Sequence, residues 1–134
     1  KQNPIIKVKT PLDAHGEAIK KLKLIEKQKL WQKDQTKEYY LAISETIRTY
    51  LEERYKVNAL ESTTDEILVD IKTVQGVNSL NTKLKDLLQQ CDLAKYAKFK
   101  PSAEENNRLM KSAQDFVLHT KPKPVSEESK KSVQ

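Results

Sequence analysis

The chain has little of what most binding chemistry is built from. It has one cysteine, Cys91, so no internal disulfide framework exists, and a reducing compartment is the natural setting. It has 2 histidines, His15 and His119, about a hundred positions apart, and no Cys or His at zinc spacing. Its 2 glycines, Gly16 and Gly76, are isolated, which excludes a phosphate-cradling loop. No run is long and apolar enough to span a membrane, and there is no signal-peptide pattern. Acidic residues are plentiful but alternate with Lys and Arg, as they do on solvated helix faces. These absences exclude any recognisable catalytic, metal or cofactor constellation. Cys91 lies on an apolar helical stripe and reads as a small buried hydrophobe. His15 and His119 read as surface residues near a helix start and a helix end.

What remains is helix-forming. At 134 residues the chain fits one domain, and its Lys, Glu, Leu and Ile favour helix over sheet. The central stretch YYLAISETIRTYLEERY organises the rest. Tyr40, Ile43, Ile47, Tyr50 and Leu51 recur at three and four residues, one stripe of a helix expected over about Asp34–Tyr55. Glu45, Arg48 and Glu52 lie opposite, spaced for pairing along the helix. Tyr39, Tyr40, Tyr50 and Tyr55 should pack with their hydroxyls reaching solvent or a carbonyl.

The expected architecture is all-α, a single small domain of about five helices, with a three-helix winged-helix-like core as one option. Residues 1–12 read as an extended basic strap, because Pro4 and Pro11 block helix. A helical domain spans 13–120, and 121–134 reads as a disordered tail. A first helix should open at Asp13 as cap and bury Ala18, Leu22, Ile25 and Trp31. A connection at Lys56–Ser62 should tuck in Val57, Ala59 and Leu60. Thr63 and Glu66 form a capping box for a short helix to about Lys72 that buries Ile67, Leu68 and Ile71, stopped near Gly76. A fourth helix from Asn78 or Ser79 turns Leu80, Leu84, Leu87, Leu88 and Cys91 inward. Asp92–Phe99 continues it, or makes a turn or wing of its own, with Tyr96 and Phe99 buried. Ser102 and Glu105 cap a last helix facing inward with Leu109, Met110, Ala113, Phe116 and Val117.

Charge is the most informative signal. Residues 1–33 hold nine lysines against Asp13, Glu17 and Glu26, so the whole net charge of +6 sits at this end. Lys7, Lys9, Lys20, Lys23 and Lys27 are the candidate membrane-proximal residues, and Lys20, Lys23 and Lys27 share one helix face. A helix-turn-helix nucleic-acid reading is the alternative. Its groove helix would be about Ser79–Cys91, but Lys83 and Lys85 against Asp86 leave that helix only weakly basic, so nucleic acid is disfavoured.

Four stretches, TPLDAHGEAIKKLKLI at 10–25, YYLAISETIRTYLEERY at 39–55, STTDEIL at 62–68 and CDLAKYAKFKPSAEEN at 91–106, together resemble a family. It is the cytoplasmic domain of bacterial inner-membrane proteins of the Bat (Bacteroides aerotolerance) operon type. The matching positions include Pro11, His15, Arg48, Glu52, Arg54, Thr64, Asp92, Lys95 and Tyr96. The resemblance implies a membrane anchor before residue 1 and a place on the cytoplasmic face of the bacterial inner membrane. It also implies partners of the MoxR ATPase and von Willebrand A-domain type, and no catalytic residue. The expectation is a non-enzymatic protein-interaction domain needing no cofactor. Arg48, Arg54, Asp92, Lys95 and Tyr96 are its candidate motif, and an anionic membrane surface lies at the N-terminal end. The oligomeric state stays open.

Overall fold

A computed structural model describes residues 10–76 and 78–123. The proposed strap up to Lys9, with Lys7 and Lys9, and the tail from 124 onward lie outside the described residues. Five α-helices carry the fold: α1 Pro11–Gln28, α2 Thr36–Tyr55, α3 Thr64–Gln75, α4 Ser79–Asp92 and α5 Ala103–His119. Two 3-10 turns, Trp31–Lys33 and Leu93–Lys95, bend the chain between them. The domain is all-α, with no strand among the described residues. None of its described helices is long and apolar enough to cross a membrane.

Local chemistry sets the helix starts. Three capping boxes open α1, α3 and α5: Thr10 with Asp13, Thr63 with Glu66, Ser102 with Glu105. The first corrects the expected start at Asp13. Asp13 is the third residue of the helix, not its cap, and Pro11 and Leu12 are helical rather than extended. A proline at the first helical position loses nothing, because its missing N–H would have had no partner there. Three non-glycine residues, Lys29, Asp34 and Lys56, take the left-handed conformation that ends the preceding helix or 3-10 turn. Gly76 follows α3 at φ 75°, ψ −176°, a region essentially closed to side chains.

The core follows the stripe read from the central helix. Tyr40, Ile43, Ile47, Tyr50 and Leu51 are all buried. α1 covers one flank with Ala14, Ala18, Leu22 and Ile25, and α5 closes the core with Leu109, Met110, Ala113, Phe116 and Val117. α4 adds Leu84, Leu87, Leu88 and Cys91, and α3 packs chiefly on α4. Edge-to-face ring pairs join Tyr40 to Phe99 and Tyr50 to Phe116. Two apolar expectations fail. Tyr96 is 65% exposed and Leu60 is 44% exposed. In place of a wing, Asp92 ends α4, Leu93–Lys95 is a 3-10 turn with Ala94 buried, and an exposed connection at 96–98 leads to Phe99 on the core.

Candidate interaction surfaces

The candidate motif divides into two centres. Arg48 and Arg54 are six residues apart on α2, about 240° around the helix, so they serve different neighbours. Arg48 does not spend itself on Glu45 or Glu52. Its Nη1 donates to the carbonyl of Ala59 at 3.1 Å and to that of Ser62, and its Nε donates to Ser44 Oγ at 3.2 Å. Its Nη2 lies 3.8 Å from Asp92 Oδ1. The other oxygen of Asp92 accepts from the Thr64 hydroxyl at 2.6 Å, and Lys95 Nζ stands 3.8 Å from Oδ1. Glu52 accepts from the Leu60 N–H at 2.9 Å. The loop between α2 and α3 has no ladder of its own, so the polar face of α2 satisfies its backbone. Asp92 and Lys95 thus pair as their spacing predicts. Asp92 does not cap the turn that follows it.

Arg54 works at the far end of α2. Its Nε donates to the carbonyl of Thr120 at 3.0 Å, just past α5, and its guanidinium lies 4.7 Å from the Tyr55 ring centre. The Tyr50 hydroxyl is 2.6 Å from Thr120 Oγ1. Thr120 Oγ1 also lies within donating distance of the Phe116 and Val117 carbonyls, at 2.8 and 3.1 Å. His15 enters this junction from α1. Contrary to the surface reading, it is only 8% exposed, and its Nε2 is buried without a hydrogen-bond partner. Burial lowers its pKa, and the positive charges of Lys121 and Arg54 lower it further. The spacing signal was present: His15 precedes Ala18 and Leu22 by three and seven residues, on their stripe.

A third buried contact was not anticipated. Asn106, 3% exposed, takes the Tyr39 hydroxyl on its carbonyl at 2.8 Å and the Tyr40 hydroxyl on Oδ1 at 2.9 Å. Asn106 sits three residues before Leu109, again on an inward stripe. Burial raises both tyrosine pKa values, that of Tyr40 to about 12. Burial likewise raises the Cys91 thiol to about 12, so it carries no thiolate near neutrality. Among the described residues no three His, Cys, Asp or Glu side chains gather as a metal site would require.

Outside the core, Lys20, Lys23 and Lys27 share the exposed face of α1, opposite its buried stripe. Lys21 points toward α2 and lines a shallow groove with Leu24, Gln28, Ala42, Glu45 and Thr49. Tyr96 stays in solvent beyond the Asp92–Lys95 pair. Lys83, on the would-be groove helix, lines a cleft of about 430 Å³ between α4 and α5 with Asp86, Glu105, Arg108 and Asp115. No family model, curated protein or solved structure matches the chain.

Proposed function

We propose that this chain is a non-enzymatic protein-interaction domain, the cytoplasmic part of a membrane-anchored bacterial protein. On this reading it acts with partners of the MoxR ATPase and von Willebrand A-domain type. The observation that carries the membrane side is the placement of charge. Lys20, Lys23 and Lys27 stand on the solvent face of α1, clear of the core, where an anionic surface would meet them. The polar knots on α2 are engaged internally, whereas Lys20, Lys23 and Lys27 are exposed. The same placement weighs against nucleic acid. Lys83 shares its cleft with three carboxylates, and Lys95 is drawn to Asp92.

The test is co-sedimentation with anionic and neutral vesicles at low and physiological salt, beside a titration with duplex DNA. Salt-sensitive binding to anionic vesicles alone is expected. Tight duplex binding that disappears when Lys83 and Lys85 are changed would overturn the reading.

A further inference from the structure

The outer face of α1 is not uniformly polar. Leu24 is 56% exposed, on a helix whose buried stripe is already complete with Ala14, Ala18, Leu22 and Ile25. Its helical neighbours three and four residues away are Lys20, Lys21, Lys27 and Gln28, and Lys23 precedes it directly. All five of these side chains are exposed. Lys20, Lys21 and Lys27 therefore flank one exposed leucine, with Lys23 about 100° further round the helix. The acidic side chains near them are Glu45 across the groove and Glu17, three and four residues before Lys20 and Lys21. A lysine side chain is long enough to lay its stem along an apolar phase and keep its charge at the headgroup level. A leucine flanked in this way is where a helix lying on a membrane would dip below that level.

We propose that Leu24 is the insertion point of this domain, entering the headgroup–acyl boundary of an anionic lipid surface while the flanking Lys20, Lys21 and Lys27 bind the surrounding phosphates. The inference rests on the membrane reading above and adds to it a contact and a depth. Charge complementarity selects an anionic surface. The apolar centre selects lipid over nucleic acid, whose phosphate backbone offers Leu24 no phase to enter.

The inert, buried Cys91 makes a direct test possible. Leu24→Cys introduces one reactive thiol, which can carry an environment-sensitive dye, and Lys85→Cys on α4 is the control. With vesicles of phosphatidylcholine containing phosphatidylglycerol, the dye at 24 should shift to the blue and the dye at 85 should not. Unlabelled Leu24→Gln should bind these vesicles about tenfold more weakly, since half a leucine's burial is lost. Circular dichroism should show it folded, because the side chain is mostly outside the core. If wild type binds and Leu24→Gln binds equally, with no shift at 24, insertion is overturned and the electrostatic reading stands. If wild type ignores anionic vesicles, both fall. A duplex that displaces the vesicles without any dye shift would also overturn insertion.

Discussion

Arg48 and Arg54 perform the same local act with opposite surroundings. Each leaves α2 to bind backbone carbonyls that no helix satisfies: those of Ala59 and Ser62 in one case, that of Thr120 in the other. Around Arg48 the knot is completed by a carboxylate, Asp92, which also ties in Thr64 of α3 and Lys95. Around Arg54 it is completed by two tyrosines and by His15, whose orphaned Nε2 sits among positive charges. The first knot gains a counter-charge. The second holds a buried imidazole whose protonation burial and the nearby cations disfavour. An arginine that gathers carbonyls is thus a general way to hold loops and helix ends. Its partner decides whether the junction responds to pH.

Both knots stand on the same apolar floor, so the largest effect should come from that floor. Ile47 is fully buried and adjoins Arg48. Ile47→Ala should cost about 2–5 kcal/mol, read by urea denaturation. A loss below 1 kcal/mol would mean that the stripe faces elsewhere. Next comes the carboxylate. Asp92→Ala should cost about 1–2 kcal/mol, because it strips a mostly buried guanidinium of its counter-charge and Thr64 of its acceptor. The 30% exposure of Asp92 keeps the loss near the lower end of that range. If stability held while binding to a protein partner vanished, Asp92 would belong to an interface instead.

The Arg54 side should differ in kind. The ordinary pKa of His15 is 6.5, and it is lowered in the fold. The unfolded chain therefore binds the proton more readily. The stabilisation is complete above pH 6.5 and is lost as pH falls through 6.5 toward the folded value. The groups facing His15 from outside α1 are Arg54 on α2 and Lys121 after α5, both cationic, and both oppose protonation. Wild type should lose stability over this window, and His15→Gln should flatten that part of the profile. Denaturation midpoints at pH 7.5 and 5.5 measure it. Identical slopes for the two proteins would show that the two knots do not differ in pH response.

The helices and the central stripe were legible because they depend on spacing along one helix. Thr63 with Glu66 and Ser102 with Glu105 announce their caps within four residues. With Asp13 as cap the first helix would open three residues late, because Asp13 suits both the cap position and the third position. Pro11 reads as a breaker by residue type, yet at the first helical position it is a starter. Tyr96 and Leu60 were read as buried from their apolar character alone. They sit in short turns, where no period says which way a side chain points. His15 and Asn106 lay at inward spacing, but their polarity masked the geometry. The knots themselves were out of reach, since Arg48 meets Asp92 across 44 residues and Arg54 meets Thr120 across 66. Such pairings depend on how α2 packs against α5 and the turn after α4, and no local pattern records that.

The smallest expected effect is the control that gives the comparison its meaning. Glu45 lies on α2 three residues before Arg48, exposed, and outside both knots. It faces Lys21 across the shallow α1–α2 groove, where solvent and salt screen the attraction. Glu45→Ala should therefore change stability by less than about 0.5 kcal/mol. If it cost as much as Asp92→Ala, charge balance along α2 would account for both losses, and the geometry around Arg48 would explain nothing. The same substitution should act on the other property of this face. It removes a carboxylate beside the lysines around Leu24, so binding to anionic vesicles should strengthen, by at most the fivefold or so that about 1 kcal/mol per surface charge allows. A stability left unchanged beside a strengthened vesicle affinity would separate the two uses of charge on this domain. Half-buried charges on α2 close the fold, and exposed charges on the outside of α1 are the ones the proposed surface would meet.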